Sequence, residues 1–553
     1  KKQENGEEVI KTVFETGTNT TSSDNILQYK VIILRVGFDE KKDGYINPCL
    51  DVINDNIPKI SNIDDVDSYK PTPFYPTNPY DPNANICYIP LKKDNNGTLQ
   101  MFTEENEVFT DNTIVEFSYD LSKEGGWRWI PLKVRWDKTA ELKNGGRNYG
   151  NSYNVANSNW QTIHNPITED MISTGGNIDS DTSDIYYTKM YGQSNTKALR
   201  DFHNLYIKMM LIKGVSQSGF TLIDLAVGKG GDFSKWIDAN LSFIFGIDLS
   251  KDNIENRIDG ACARYLNYKK KFKNVPDVLF VNGNSGLNIK SGEAILSEKE
   301  KTITKAVFGM GERSERVLGK GVLKSYGRGK DGFDVCSCQF ALHYFFENMV
   351  VLSNFIQNVA DSTKIGGHFI GTCYDGLSIF NELKSSSLGQ GTSLFKNEVK
   401  IWEIIKKYEY AEFKDDESSL GYAIDVFQET IGKSFIEYLV NFEFFKNIME
   451  KYGFVLISKE EANDMNLPNS NGLFSDLHSH MENQILSDRQ LKKNIGESTK
   501  MSSEERKISF YNRYFIFKKE RNVGKIKLDK VSSNKMLIKP KNIKKLSKRI
   551  IIK

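Results

Sequence analysis

The feature that most constrains the fold of this 553-residue chain is an alternation of strand-like and helix-length segments that begins near residue 196. Five short apolar runs lie there, at TLIDLAV, SFIFGIDLS, DVLFVNGNS, FDVCSCQF and HFIGTCYD, with helix-length segments between them. Parallel strands need such crossovers, so the alternation predicts an α/β domain with a mostly parallel sheet over residues 196–517. Ligands of these sheets bind beyond the carboxyl ends of the strands.

The rest of the chain has different sequence patterns. Residues 26–140 hold short strand-like runs separated by turn-rich pieces, a pattern typical of a small β barrel. Residues 1–25 are polar and predicted to be disordered, and residues 141–195, rich in Asn, Gly, Ser and Thr, are predicted to be a linker. The Gly- and Lys-rich insertion at 301–332 predicts a surface loop. Residues 518–553 predict a flexible basic tail.

Composition excludes several classes of protein. No apolar run approaches the roughly 20 residues that span a bilayer, so no membrane partner is expected. Six cysteines in a chain of this length indicate a reducing compartment, with the cytoplasm as the default. The pairs Cys336/Cys338 and His478/His480 lack further ligands nearby, so no metal site is expected. The tail carries 14 Lys and Arg against two acids, which fits either a solvated segment or an RNA contact.

A nucleoside cofactor is indicated by polar residues that follow three consecutive strands. The first strand runs into Gly228-Lys229-Gly230-Gly231-Asp232, where glycines let a ligand approach the backbone and a helix begins. The spacing lacks the G-x-G-x-x-G of a pyrophosphate site, which favours a cofactor without phosphate. Asp248 ends the second strand and suits ribose hydroxyls, and Asn284-Ser285 end the third and suit the adenine edge. The alternative is that Asp248 and Asn284 only cap the helices that follow.

Three longer motifs then point to one family. LIDLAVGKGGDFSKW, FDVCSCQFALHYFFE and GGHFIGTCYDG, in this order, resemble the mRNA cap guanine-N7 methyltransferases. The resemblance implies a Rossmann-like class I fold, S-adenosylmethionine as cofactor and the capped 5′ end of mRNA as partner. It extends upstream to ALRDFHNLYIKMMLI, whose Lys208 matches the lysine that reaches the methionine carboxylate. The residues at cofactor positions are Lys208, Asp224, Gly228, Gly230, Asp248, Asn284, Ser285 and Gln339.

The same resemblance assigns a guanine site and a mechanism. The residues at cap-guanine positions are Asn204, His343, Tyr344, Glu437 and Tyr514. A carboxylate at Glu437 suits the N1–H and N2–H donors of guanine, although an exposed helix glutamate is the alternative. Tyr514 could equally be a strand-core tyrosine. Guanine N7 carries a lone pair and no proton, so we expect no catalytic acid or base and a positioning role for His343, Tyr344 and Glu437.

The region 26–140 holds a second resemblance. NTIVEFSYDLSKEGGWRWIPLKVRWDKT is similar to the last motif of mRNA guanylyltransferases, which lies on their OB-fold domain. This implies phosphate contacts by Lys133, Arg135, Asp137 and Lys138, with Lys133 standing where arginine is usual. The sequence K-x-D-G of a nucleotidyl-transfer lysine occurs at 41–44, but it lies too close to this motif, and a β turn is the better interpretation. Guanylyltransferase activity is not expected from this chain alone.

The whole chain resembles the carboxyl-terminal half of the fused capping enzymes of large DNA viruses and cytoplasmic linear plasmids. If the chain is a fragment, triphosphatase and guanylyltransferase domains lie upstream, and whether a stimulatory subunit binds is left open. This resemblance implies a cytoplasmic location, with a viral factory or the virion as the more specific alternatives. The alternatives are a class I methyltransferase with another acceptor and a fragment that serves as an RNA-binding or subunit module.

Overall fold

A computed structural model of the chain describes residues 10–14, 26–60, 68–77, 79–167, 169 and 194–524. The described residues up to 169 form mainly antiparallel strands, and those from 194 form an α/β domain. The change from short strand-like runs to alternating strands and helices in the sequence therefore coincides with a change of architecture.

The amino-terminal region is built from short antiparallel strands and short helices. Its strands are β1 (Ile10–Phe14), β2 (Ile26–Ile33), β3 (Arg35–Asp39), β4 (Tyr69–Pro73), β5 (Ile86–Lys93), β6 (Leu99–Phe102), β7 (Val108–Phe109), β8 (Val115–Tyr119) and β9 (Trp129–Val134). Its α-helices are α1 (Glu40–Asp43), α2 (Pro48–Ile53), α3 (Trp136–Lys143) and α4 (Tyr153–His164), and a 3₁₀ turn covers Gly125–Arg128. Within the described residues the strands pair as β1-β2-β5-β6-β7, β3-β4 and β8-β9. They form three sheets rather than one closed barrel, and the OB fold stays a prediction.

Two predictions for this region need correction. The segment predicted to be disordered contains β1, which pairs along β2 from Ile10↔Lys30 to Phe14↔Ile26, because an unpaired strand edge is a ready template for another strand. The predicted linker contains α4, which buries Tyr153 and Trp160 against the amino-terminal sheets. The remaining parts of both segments, 1–9, 15–25, 168 and 170–193, lie outside the described residues.

The α/β domain is organised around an eight-stranded sheet. The strands are β10 (Thr221–Asp224), β11 (Phe243–Asp248), β12 (Asp277–Asn282), β13 (Phe333–Gln339), β14 (Thr363–Tyr374), β19 (Phe454–Leu456), β20 (Asn471–Leu473) and β21 (Asn512–Lys519). Their order is β12-β11-β10-β13-β14-β21-β19, and β20 pairs with β21. Strands β10 to β14 are parallel and β21 is antiparallel to β14. The strand order reverses beside β10, which places the ligand crevice at the carboxyl ends of β10 and β13.

Helices cover both faces of this sheet and bury its strands. They are α5 (Lys197–Asp201), a π-helical turn (Phe202–Ile207), α6 (Lys208–Val215), α7 (Phe233–Asp238), α8 (Lys251–Glu255), α9 (Ala261–Lys271), α10 (Glu298–Val307), α11 (Glu315–Leu318), α12 (Lys320–Lys324), a 3₁₀ turn (Leu342–Phe346), α13 (Met349–Ser362), α14 (Gly376–Glu382), a 3₁₀ turn (Glu417–Ser419), α15 (Phe442–Lys451), α16 (Lys459–Asp464), α17 (Phe474–Ser487), α18 (Arg489–Asn494), a 3₁₀ turn (Ser498–Lys500) and α19 (Ser503–Phe510). All five strands predicted for this domain are confirmed at their positions.

The prediction of a surface loop at 301–332 is wrong. Most of α10 and all of α11 and α12 lie in this insertion. Ile303, Ala306 and Val307 recur at the spacing of one helix face and are buried in the core of the domain, which is why this stretch folds as a helix.

A small antiparallel sheet is inserted between α14 and α15. It consists of β15 (Gly391–Lys396), β16 (Val399–Lys406), β17 (Ala423–Gln428) and β18 (Ser434–Tyr438), in that order. Trp402 and Ile404 of β16 are buried in the same core as the large sheet. The small sheet is therefore a fixed part of the domain, and its last strand carries Glu437.

The end of the domain extends slightly beyond the predicted boundary. Lys519 belongs to β21, and its buried ammonium group donates to the carbonyl oxygens of Ala360 (2.6 Å) and Thr363 (2.8 Å). The first residues of the predicted tail are thus part of the sheet, and residues 525–553 lie outside the described part. Across the described ranges, every helix is too short or too polar to cross a bilayer.

Candidate active site

The glycine turn after β10 positions the acidic end of β11. The backbone N–H of Gly228 donates to Oδ2 of Asp248 at 2.7 Å. Gly230 has φ +68°, and a Cβ there would come within 2.7 Å of the Phe233 ring. Only glycine fits this left-handed position without displacing the first residue of α7. The turn therefore lies close against Asp248, with Gly230 buried and Gly231 exposed at the sheet edge.

Asp248 is held in one orientation by three donors. In addition to Gly228, the N–H of Ser250 (3.0 Å) and Nδ2 of Asn253 (2.9 Å) donate to Oδ1. Burial raises the pKa of the Asp248 carboxyl, and these hydrogen bonds oppose that rise. A carboxylate has about four acceptor positions, so one remains for a ligand hydroxyl.

A buried charge cluster lies at the start of α7. Lys208 Nζ is 3.3 Å from Asp232 Oδ2, and Lys235 Nζ is 3.1 Å from Asp232 Oδ1. Burial acts to raise the pKa of Asp232, but the two ammonium groups hold it below its usual value. Burial, reinforced by the negative charge of Asp232, raises the pKa of Asp224 to about 7. Lys208 is therefore the cation of this cluster that a ligand carboxylate can reach, since Lys235 is buried behind Asp232 and also donates to Gly231 O.

The helix that carries Lys208 begins with an irregular turn. Residues Phe202–Ile207 are π-helical, a rare geometry that occurs often at functional sites. Within this turn His203 stacks on Phe340, with ring centroids 5.2 Å apart and an interplanar angle of 19°. Phe340 has φ +55°, a strained conformation for an aromatic residue, and the Lys208 ammonium lies 5.5 Å from its ring centroid. The strained Phe340 therefore connects the end of β13 to Lys208.

The ends of β12 and β13 complete this edge of the sheet. Ser285 Oγ donates to Leu225 O at 2.7 Å, which ties the third strand's end to the glycine turn. Asn284 is exposed, and its Oδ1 accepts from Gly286 N–H (2.8 Å). Gln339 is buried, and its Oε1 accepts from Thr372 Oγ1 (3.1 Å).

A buried His–Glu pair lies next to this edge. His343 is in the 3₁₀ turn directly after β13, and its Nε2 is 3.5 Å from Oε2 of Glu437 on β18. Both ring nitrogens and Glu437 Oε2 lack a hydrogen-bond partner within the described part of the chain. Burial raises the pKa of Glu437 to about 8 and lowers that of His343 to about 3. A buried polar atom without a partner costs about 1–3 kcal/mol, so a ligand that donates and accepts here is favoured.

Two tyrosine rings lie near the His343 ring. The Tyr344 ring lies 4.3 Å from the His343 ring, and the Tyr374 ring lies 6.4 Å from it. The Tyr374 hydroxyl accepts from Trp402 Nε1 and Gln428 Nε2, both at 2.9 Å, which locks it against the small sheet.

A comparison with protein families shows to which family the chain belongs. The family model described as the mRNA (guanine-N(7))-methyltransferase domain matches residues 181–520. The chain belongs to the mRNA (guanine-N7)-methyltransferase family. Together with the strand order, this confirms the predicted Rossmann-like class I methyltransferase domain and S-adenosylmethionine as its cofactor.

Individual relatives of this chain come from a virus, a fungus and a plant. A probable mRNA-capping enzyme of Acanthamoeba polyphaga mimivirus is 32% identical over 406 residues, 67% of this chain and 33% of that protein. The mRNA cap guanine-N(7) methyltransferase of Saccharomyces cerevisiae is 29% identical over 271 residues, 48% of this chain and 52% of that protein. An Arabidopsis thaliana mRNA cap guanine-N(7) methyltransferase is 27% identical over 267 residues, 47% of this chain and 60% of that protein. The chain thus spans 33% to 60% of these relatives' lengths.

The structure brings together most of the predicted site residues, but the side chains of Tyr514 and Asn204 bond to the backbone of this chain. The Tyr514 side chain is fully buried in β21, and its hydroxyl donates to Asn469 O at 3.0 Å, as a core tyrosine would. Asn204 lies in the π-helical turn, and its Nδ2 donates to Arg200 O at 2.9 Å. Their contact with guanine stays a prediction. Glu437, in contrast, is a buried strand residue and not an exposed helix glutamate.

Several residues around the candidate site were not singled out from the sequence. Asp232 and Lys235 form the charge cluster with Lys208, and Phe340 carries the strained backbone. The signal for the first two was present, because an Asp and a Lys three residues apart at a helix start lie on one face. Neither backbone strain at Phe340 nor the position of Tyr374 has a local sequence signal. Among the residues described, no group of three or more His, Cys, Asp or Glu is arranged to hold a metal ion.

The basic motif of the amino-terminal region, at residues 133–138, is only partly brought together in one place. Arg135 and Lys138 line an open cavity of about 1370 Å³ between the amino-terminal sheets. Lys133 pairs instead with Glu116 (3.7 Å), and Asp137 pairs with Arg135 (3.4 Å). The K-x-D-G segment forms α1 followed by Gly44 rather than the predicted β turn, because Asp39 caps the helix by accepting from Lys41 N–H.

Proposed function

We propose that this chain transfers a methyl group from S-adenosylmethionine to N7 of the guanine cap of mRNA, as the methyltransferase part of an mRNA-capping enzyme. The observation that carries the proposal is the buried pair of His343 and Glu437, whose polar atoms lack partners among the described residues. His343 of this pair follows β13, which ends at the predicted cofactor residue Gln339. An acceptor base held by this pair therefore lies beside the cofactor edge of the sheet.

The polar edge of guanine matches this pair. Guanine presents two adjacent donors, N1–H and N2–H, and an ionised Glu437 accepts from both. A neutral His343 offers one N–H donor and one acceptor, which suits a ring with an adjacent carbonyl oxygen. Adenine lacks this pair of donors on its Watson–Crick edge, so the site favours guanine over adenine.

The residues at the sheet edge fit S-adenosylmethionine. Lys208 supplies a cation for the methionine carboxylate, and Asp248 has an acceptor position left for a ribose hydroxyl. The glycine turn lets a ligand approach the backbone, because a side chain at Gly230 would collide with Phe233. When bound, S-adenosylmethionine supplies a methyl group on a positively charged sulfur.

The chain's own residues act by holding and orienting the acceptor. Guanine N7 has no proton to lose, so no general base is required, and neither His343 nor Glu437 has to move a proton to the acceptor. Holding the polar edge of guanine at His343 and Glu437 points its N7 in one direction, so the acceptor meets the methyl group in a fixed orientation. Burial of the pair excludes water from the reacting groups.

A direct assay tests the function. The purified chain is incubated with methyl-labelled S-adenosylmethionine and RNA that ends in GpppA, and the product is digested to locate the label. We expect label on N7 of the cap guanine. Label on another nucleotide or on protein would support the alternative of a class I methyltransferase with a different acceptor. RNA that ends in ApppA is the matched control, because it lacks the two adjacent donors.

The context of the enzyme is also part of the proposal. We propose that residues 26–140 form an OB-fold domain, that the methyltransferase domain extends from 196 to 519, and that the basic residues after it contact RNA. Arg135 and Lys138 support a phosphate-binding role for the cavity of the first domain, since both line it. The similarity to a mimivirus capping enzyme supports capping in the cytoplasm of infected cells, in series with triphosphatase and guanylyltransferase domains. The alternative of a non-catalytic RNA-binding or subunit module predicts no label in the assay.

A further inference from the structure

The segment between β3 and β4 leaves the amino-terminal region and packs on the methyltransferase domain. Helix α2 inserts Val52, which is buried in the same core as the central strands of the large sheet. Lys270 of α9 pairs with Glu40, and its ammonium lies 4.7 Å from the centroid of the Tyr45 ring. The Tyr45 hydroxyl donates to Asn267 Oδ1 at 2.8 Å. The two regions therefore share a continuous interface.

Arg257 is the centre of this interface. Its Nε donates to Tyr45 O at 2.5 Å, and Tyr45 N–H donates back to Arg257 O at 2.9 Å. The guanidinium carbon lies 4.0 Å from the ring centroid of Tyr153 in α4. Gly44 has φ +72°, and a Cβ there would come within 2.2 Å of Arg257 O. The K-x-D-G segment, which plays no part in the proposed chemistry, thus serves as the close contact with Arg257.

A second contact reaches the helix just before Arg257. The Cys49 thiol in α2 donates to Ile254 O at 3.7 Å, and its sulfur lies 2.7 Å from that of Cys262. Ile254 belongs to α8 and is buried. The amino-terminal region therefore contacts α8 and the turn after it at two points.

The opposite side of the same segment holds the cofactor residue Asp248. Asn253 of α8 is buried, and its Nδ2 donates to Asp248 Oδ1 at 2.9 Å. Lys229 of the glycine turn pairs with Asp252 (3.1 Å) and Asp259 (2.9 Å). Residues 250–260 are thus held between the glycine turn and Asp248 on one side and α1, Gly44 and α2 on the other.

We propose that Arg257 is a positioning residue for the cofactor site, through which the amino-terminal region sets the orientation of Asp248. The coupling runs from Tyr45 and Tyr153 to Arg257, then along α8 to Asn253, and from there to the carboxylate. The segment has packed partners on both faces, so a shift on one face changes the geometry on the other. The cofactor affinity of the methyltransferase domain therefore depends on the amino-terminal region. This coupling rests on the proposed function only in that the ligand at Asp248 is taken to be S-adenosylmethionine.

The test measures the affinity of the full chain for S-adenosylhomocysteine by titration calorimetry. We expect Arg257→Ala to raise the Kd about 3- to 30-fold, the range of effects carried through such packed networks. Lys320→Ala is the matched control, since it breaks an ion pair of the same interface, with Asp55 at 4.0 Å, that contacts neither Tyr45 nor Arg257. For this control we expect an unchanged Kd. Thermal unfolding of each variant separates folding defects from binding defects.

A double-mutant cycle checks the route. Asn253→Ala removes the last link to Asp248, so Arg257→Ala should raise the Kd much less in that background than in the wild type. Gly44→Ala, which wedges the interface apart, and Cys49→Ala, which removes the thiol contacts, provide the same test should Arg257→Ala not fold. We expect both to weaken binding.

Two results would overturn the proposal. The first is a folded Arg257→Ala variant, or a folded Gly44→Ala variant, with the affinity of the wild type. The second is full additivity of Arg257→Ala with Asn253→Ala. A wild-type chain that binds S-adenosylhomocysteine but leaves GpppA-RNA unlabelled would contradict the proposed acceptor and would leave this inference intact.

Discussion

Replacing Glu437 by glutamine separates the stability of the guanine site from its function. Burial raises the pKa of Glu437 from 4.5 to about 8, so near pH 7 the side chain is protonated in the unliganded fold and ionised in the unfolded chain. Each pKa unit corresponds to about 1.4 kcal/mol. Near pH 7 the raised pKa therefore lowers the unfolding free energy by about 3 kcal/mol, relative to a fold in which Glu437 keeps its usual pKa. The side chain's contribution to stability is fully present below about pH 4.5 and is lost as pH rises through about 8.

The Glu437→Gln variant keeps the shape of the side chain and removes its titration. We therefore expect it to be more stable than the unliganded wild type by up to about 3 kcal/mol near pH 7, with little difference near pH 4. Cap binding should respond in the opposite direction, because the two guanine donors require the ionised carboxylate. In the wild type the KM for GpppA-RNA should fall about tenfold per pH unit between about pH 6 and 8.

The assay measures initial rates against GpppA-RNA concentration at several pH values, together with thermal unfolding of the unliganded protein. S-adenosylmethionine is kept saturating, because Asp224, with its pKa raised to about 7, titrates in the same range on the cofactor side. His343 stays neutral throughout, since burial lowers its pKa to about 3. The reasoning is refuted if Glu437→Gln is no more stable than the wild type near pH 7, or if its KM for RNA keeps the wild-type pH dependence.

Three further predictions concern the cofactor edge. Lys208→Met should raise the KM for S-adenosylmethionine about 10- to 100-fold through loss of a charge-assisted contact, whereas Lys213→Met, farther along α6, should leave it unchanged in the same kinetic assay. Lys235→Met should lower the unfolding free energy by about 1–3 kcal/mol in urea titrations, because Asp232 loses one of its two cationic partners; equal stability would contradict this. Gly230→Ala should weaken S-adenosylhomocysteine binding in calorimetry, since its Cβ displaces Phe233; unchanged binding would speak against the close packing of the turn.

The sequence by itself determined the features that depend on local pattern. Alternating apolar runs predicted the five parallel strands, and the distance from Gly228 to Asp248 predicted that both lie at one sheet edge. Strand periodicity and turn glycines act over a few residues, so their signal survives without knowledge of the fold. The motif that contains His343 likewise placed this residue directly after a strand.

The tertiary structure alone decided which distant residues meet. Glu437 reaches His343 from a small inserted sheet, and Arg257 meets Tyr45 across two regions of the chain. Strand β1 forms only because the edge of β2 is available, and α10 folds as a helix because a core accepts its apolar face. Such contacts depend on packing and on closing long loops, and neither has a signature in a short stretch of residues.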